Sequence, residues 1–241
     1  MKQPAIKSFG EKAVLIEWEP SINDNMLTMV LQVKQLVLKT FAREVLETVP
    51  TYSSLAIFIK KGVKQDDFIK QLTQKLKNIP KTKPAISRVL HIPVCYDPKF
   101  ALDIEEVAQT NNLTVPKVIE LHTTPQYKVY FLGFLPGFPY LGGLDKRLQT
   151  PRKNTPREKI EAGSVAIGGS QTGVYTTSSP GGWNIIGRSP LNFFSIEKKP
   201  PALLKAGDFI KFIPISKDEY RKIEVEVNVD IYNLGEEAAN G

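Results

Sequence analysis

Cysteine is nearly absent. Cys95 is the only one in 241 residues, so no disulfide can close within the chain and no thiolate cluster can hold a metal. Histidine is almost as scarce: His91 and His122 stand alone, neither with a second His or Cys at metal-ligand spacing, which argues against a metal site built by this chain by itself. Long apolar runs are missing too. Nothing approaches the roughly 18 residues of a membrane span, and the opening MKQPAIKSFGEKAV meets charge before any signal-peptide core could form. A soluble, cytoplasmic protein is expected. Familiar catalytic signatures are also lacking. The stretch Gly168 to Gly173 reads GGSQTG, but the chain has no G-x-x-x-x-G-K-[ST] phosphate loop. A nucleophile elbow centred on Ser170 would need glycine where Thr172 stands. The N-x-T match at Asn112 to Thr114 lacks a secretory context, and no internal repeat or low-complexity tract is visible.

What is present is an ordinary globular composition, 41% hydrophobic and 24% charged, enough for one large or two small cores. The formal charge of +7 raises the question of nucleic acid. Its placement argues against that, because the lysines between Lys60 and Lys83 are spread along a solvated helix and its flanks without interleaved aromatics.

The first 85 or so residues mix two periodicities. Ala13 to Trp18 reads as a strand. Asp24 and Asn25 sit where an N-cap belongs, ahead of Met26, Met29, Val30, Val33 and Val37, which share one helical face. Val45 to Val49 and Leu55 to Ile59 read as a hairpin. Asp66 and Asp67 open a second helix with Phe68, Ile69, Leu72, Leu76 and Ile79 on one face, Lys75 and Lys77 near its end and Pro80 as its stop. With a further strand near Arg88 to Ile92, this order predicts a ferredoxin-like α+β domain. Two short helices follow, near Asp103 to Asn111 and Val115 to His122, with Asp103 and Thr114 as caps.

Beyond Tyr127 the texture changes: 11 of the 16 glycines lie between Gly133 and Gly187, among short apolar runs that suggest a sandwich or closed barrel. The polar, proline-marked joint Pro80 to Ala85 divides the chain into residues 1–84 and 85–241.

Between Phe131 and Arg188 lie FLGFLPGFPYLGGL, TPRKNTPR, AGSVAIGGSQTGVY and SPGGWNIIGRSP. Such glycine and proline spacing either builds tight barrel turns or holds polar side chains on rigid loops. Arg152, Arg157 and Arg188 suit a carboxylate or phosphate clamp, or plain surface charge. Trp183 and Tyr175 either stack on a substrate or fill the barrel. Gln171 either offers its amide to a developing oxyanion or ties down its loop. His122, ending an apolar helix, is either a satisfied cap or core residue or an acid and base near neutral pH.

In that order and spacing the four segments, together with VPTYSSLAI, HIPVCYD and VIELHTTPQYKVY, resemble the family of the 5-oxoprolinase B subunit, allophanate hydrolase subunit 1 and the KipI-type histidine-kinase inhibitors. The resemblance covers nearly the whole chain. It implies a ferredoxin-like N-terminal domain and a cyclophilin-like C-terminal β-barrel. It further implies the A and C subunits of 5-oxoprolinase as partners and the ATP-driven opening of 5-oxo-L-proline to L-glutamate, with ATP and Mg entering at the level of the complex and no cofactor site visible in this chain. On that pattern Arg152, Arg157 and Arg188, with Tyr175 and Trp183 beside them, hold carboxylate or phosphate, Gln171 orients the amide and His122 moves protons. The family also offers two other roles, docking on a sensor histidine kinase and serving a urea-type amidolyase. Glu161 and Thr176 stand where the family pattern has proline, and Ser189 where it has threonine; these changes bear on loop shape.

Overall fold

A computed structural model describes residues 3–77 and 87–238. The chain divides into two compact units, Met1–Ala85 and Ile86–Gly241. Ile79, Pro80, Lys83 and the joint expected at Pro80 to Ala85 lie outside the described residues.

The first unit runs β1 (Ala5–Ser8), β2 (Ala13–Glu17), α1 (Asp24–Thr40), β3 (Val45–Pro50), β4 (Ser54–Ile59) and α2 (Gln65–Leu76). Its sheet has the order β1-β2-β4-β3, antiparallel throughout. Alternation along β2 and β4 buries Val14, Ile16, Leu55, Ile57 and Ile59 against Val30, Val33 and Val37 of α1 and Phe68 and Leu72 of α2. The cap of α1 falls one residue before the expected pair: the Asn23 side chain accepts from the Met26 N–H at 2.9 Å, leaving Asp24 in the first turn, where it favours the helix dipole. The fourth sheet position also differs from expectation. The strand at Arg88 does not return to this sheet, and the N-terminal β1 takes the edge beside β2 instead.

The second unit begins with that strand, β5 (Arg88–Cys95), followed by α3 (Ile104–Thr110), α4 (Val115–Thr123), β6 (Tyr127–Leu132), β7 (Pro139–Gly142), β8 (Arg157–Ile160) and β9 (Ser164–Gly168). Then come β10 (Gln171–Val174), β11 (Ser179–Gly181), β12 (Asn184–Arg188), β13 (Phe209–Ile215), α5 (Lys217–Asn228) and β14 (Glu236–Ala238). Seven strands in the order β12-β9-β10-β7-β6-β13-β5 close into a barrel, because β12 meets β5 at Arg188 and Cys95. The ring is antiparallel except for β5 and β13, which run parallel from Val89 opposite Phe209 to Cys95 opposite Ile215. β14 takes the first half of the same β5 edge.

Inward-facing Ile92, Val94, Val129, Leu141, Val165, Ile167 and Phe212 fill the barrel, and Val107, Val118 and Leu121 of α3 and α4 pack on that core. The strands β8 and β11 form a separate two-stranded flap. A fully buried Asp208 carboxylate accepts from Arg88 Nε at 3.2 Å and Nη2 at 3.0 Å and from the Lys205 N–H at 2.9 Å. That bidentate pair ties the start of β5 to the start of β13.

Candidate functional site

Period-two alternation gives β9, β10 and β12 an outer face as well as a barrel face. Ala166 and Ile185 point outward, between Val165, Ile167 and Ile186, and join Phe138, Ile160, Tyr175 and Trp183 in a second apolar cluster. Tyr175 and Trp183 therefore do not fill the barrel; they are packed on its outside. Phe138 sets its edge against both rings, with centroids at 5.6 Å and 5.7 Å. The indole lies flat on Gly168, where a Cβ would come within 2.6 Å of the ring, so only glycine admits the tryptophan there. Gly181 similarly makes room for the Tyr175 hydroxyl. Burial pushes the Tyr175 phenol up, against a backbone hydrogen bond from Trp183 and the charges of Arg152 and Arg157.

Arg152 stands over this tryptophan, its guanidinium carbon 5.7 Å from the ring centroid. Its backbone is pinned on both sides. Thr150 and Gly169 exchange backbone hydrogen bonds at 3.2 Å and 2.7 Å, Asn184 Nδ2 donates to Pro151 O at 2.8 Å, and the Lys153 N–H donates to Gly182 O at 2.8 Å. The side chain itself is exposed and, among the described residues, pairs with no carboxylate. Gln171 is half-buried opposite Gly168 in the β9–β10 ladder. Because Thr172 turns inward, the strand period places Gln171 on the outer face shared with Gly168.

Arg157 reaches the same cluster from behind, but its donors are committed. Nη1 and Nη2 bind the two Asp103 oxygens at 2.8 Å and 2.7 Å. Asp103 is buried and also accepts from the Ile185 N–H at 2.7 Å, with Lys153 Nζ at 3.0 Å. Burial alone would raise its pKa; the Arg157 hydrogen bonds, the Ile185 N–H and Lys153 outweigh that and hold it below the usual carboxylate range. The expected cap function is not found, since the Asp103 side chain makes no capping bond to α3, whereas Thr114 does cap α4.

Two predicted residues lie elsewhere. Arg188 ends β12, roughly 16 Å of strand from Trp183, where its Nε donates to Ala162 O at 2.9 Å. His122 is fully buried on α4, stacked on Phe212 with centroids 4.5 Å apart. The Thr172 hydroxyl donates to Ala166 O at 3.1 Å, so it accepts from His122 Nε2–H at 3.0 Å; Nδ1 is then left to accept from the Tyr96 hydroxyl at 2.8 Å. Burial lowers the imidazole pKa to about 3. With both nitrogens engaged and no solvent contact, His122 is a core residue, and this geometry does not serve the proton-moving role that the resemblance implied.

The loop Gly133–Phe138 borders the cluster and carries Phe134 at φ +63°, exposed, edge-on to Phe138 at 5.5 Å. Thr176, where the family pattern has proline, fastens this loop by donating to Pro136 O at 2.7 Å. Thr176→Val should cost about 1 kcal/mol of stability, and hydrogen exchange should show faster opening of residues 133–138 while the barrel strands keep their protection.

The carboxyltransferase domain model for subdomains C and D matches residues 4–204, most of the chain. The chain belongs to this family. It is similar to the B subunit of 5-oxoprolinase from Bacillus subtilis, 38% identical over 92% of this chain and 98% of that protein. The protein of the same name from Escherichia coli O157:H7 is 37% identical over 85% of this chain and 93% of its own length. Among solved structures, TTHA0988 superposes with a TM-score of 0.74 at 30% identity, over 85% of this chain and 40% of that one; the chain thus spans less than half of TTHA0988. Kluyveromyces lactis urea carboxylase, at 19% identity and a TM-score of 0.79 over 98% of this chain and 24% of that one, shares the fold. Within the family, then, this chain combines an α+β first unit with a closed barrel, and no helix among its described residues is long and apolar enough to cross a membrane.

Proposed function

We propose that the chain is the B subunit of an ATP-dependent 5-oxoprolinase and that its Arg152–Trp183 face is one half of an active site completed by the C subunit, with the A subunit in the same assembly. The observation that carries this reading is the similarity, at 37–40% identity over most of the chain, to proteins named as the B subunit of 5-oxoprolinase. The geometry is compatible. Arg152 is a cation on a pinned backbone, unpaired among the described residues, beside an apolar wall, which suits the carboxylate of 5-oxoproline or a transferring phosphate, and Gln171, opposite Gly168 in the β9–β10 ladder, is the amide that would orient the substrate. A lactam is unreactive, so the chemistry needs activation. Its oxygen attacks the terminal phosphorus of ATP and ADP leaves; one water opens the ring with the nitrogen departing as the amine, and a second releases phosphate. ATP and Mg belong to the complex in this reading, and the residues of this chain supply anion-stabilising donors in place of a nucleophile.

The test is to co-express the chain with its cognate A and C subunits and measure 5-oxoproline-dependent release of ADP and glutamate. Release in equal amounts supports the reading. A well-formed complex that turns over a urea-derived amide instead would move it toward urea amidolyase, to which the chain is 26% identical over 55% of its length. A complex inert to both amides would leave the kinase-docking role.

A further inference from the structure

We propose that Asp103 is the positioning residue of the Arg152–Trp183 site: one buried carboxylate that sets the guanidinium against the indole by holding the chain on both sides of the pair. This inference rests on the reading that Arg152 holds an anion.

Asp103 gives up a local role to do this. It begins α3, where a side-chain cap is the default for aspartate, yet its oxygens turn away from the helix. Its backbone N–H donates to Ile185 O at 2.8 Å while Oδ2 accepts from the Ile185 N–H at 2.7 Å. Asp103 thus clasps the main chain two residues after Trp183. The same carboxylate takes the Arg157 fork at 2.7 Å and 2.8 Å and Lys153 Nζ at 3.0 Å, and Lys153 directly follows Arg152. Four donors from the two segments that carry the cation and the ring converge on a group that is only 3% exposed. A local rule broken in favour of long-range contacts is what a site-positioning residue looks like.

There is also a charge consequence. Lys153 and Arg157 are neutralised internally, Lys153 further by Glu106 at 2.7 Å, so of the three cations on this short segment Arg152 is left to meet an outside anion. The carboxylate both fixes where Arg152 stands and removes its competitors.

Asp103→Asn keeps the size and the acceptor for Ile185 but loses the charge that holds Arg157 and Lys153. In the assembled complex it should raise KM for 5-oxo-L-proline about tenfold with kcat within a factor of two or three, while Asp103→Glu restores part of the loss. An unchanged KM, with only a lower melting temperature or less active protein, would mean a purely structural role and overturn the proposal. A second measurement needs no knowledge of the substrate. In a full-length Trp18→Phe chain Trp183 is the remaining tryptophan of two, and its emission reports titration with inorganic phosphate. A response abolished by Arg152→Ala and shifted about tenfold by Asp103→Asn supports the proposal. Wild-type affinity in Asp103→Asn alongside loss in Arg152→Ala overturns the positioning role and leaves the anion site standing. If the parent chain gives no response, or Arg152→Ala leaves it intact, the anion site falls and this proposal with it.

Discussion

On the proposed function, replacing Arg152 with alanine is expected to lower kcat/KM of the assembled complex for 5-oxoproline-dependent ATP hydrolysis by about a hundredfold while the melting temperature of the chain stays nearly constant. The two halves of that expectation come from the same geometry. Arg152 is exposed, pairs with no carboxylate among the described residues and touches its own protein chiefly through the face of Trp183 at 5.7 Å, a contact worth only about 0.5–1 kcal/mol at such a site. Charge-assisted hydrogen bonds to a ligand are stronger, about 1.5–3 kcal/mol. Arg152→Lys should recover only part of the loss, because a point charge lacks the planar fork that fits a carboxylate. Arg157→Ala should, unlike Arg152→Ala, lower the stability of the chain. It takes two of the four donors from the buried Asp103 carboxylate and leaves Lys153 Nζ and the Ile185 N–H in place, so about 1–3 kcal/mol of stability should be lost, visible as a lower urea midpoint. Equal melting losses for the two variants would show that Arg152 is a structural residue and would remove it from the site.

The second large effect is on pH dependence. The His122 imidazole has a pKa of about 3 when folded and about 6.5 in an unfolded chain. Below 6.5 the unfolded chain takes up a proton that the folded chain refuses, so the unfolded state gains as pH falls. The contribution is fully present above about 6.5 and is lost progressively toward 3, amounting to about 4–5 kcal/mol. Urea unfolding between pH 7 and pH 4 should show this slope before most carboxylates protonate. The double variant Tyr96→Phe, His122→Leu removes both the imidazole and the hydroxyl that depends on it, and should flatten the profile over that range. An unchanged slope would mean that other groups carry the acid sensitivity.

Several parts of this structure were legible in the sequence because one local pattern decided them. The three- and four-residue spacing from Met26 to Val37 made α1, and Phe68 and Leu72 marked the buried side of α2. The change of texture after Tyr127 signalled short strands and tight turns. What the sequence hid were long-range choices. An apolar strand such as Arg88–Cys95 fits either sheet, and its pairing with β13 depends on residues more than a hundred positions away. Asp103 reads locally as a cap; only the fold brings Arg157, Lys153 and Ile185 around it. The arginines show the same limit. Arg152, Arg157 and Arg188 share one composition signal, but the structure leaves the first outward-facing, spends the second on Asp103 and sets the third at the far end of β12. For His122 the deciding fact is enclosure, which neighbouring residues in the sequence do not encode.

The pairing of β5 has a consequence for how the protein is made. Each strand bonded to β5, whether β12, β13 or β14, comes from Asn184 onward. During synthesis the first unit has all four strands of its sheet by Ile59, whereas the barrel's opening strand must wait, apolar and unpaired, until nearly the whole second unit has emerged. Chains that stop short of Phe209 leave that strand without its parallel neighbour and with an edge open to other chains. Stalled or truncated products should therefore collect in the insoluble fraction, and recovery of soluble protein should depend on how quickly the segment from Asn184 onward follows the rest of the chain.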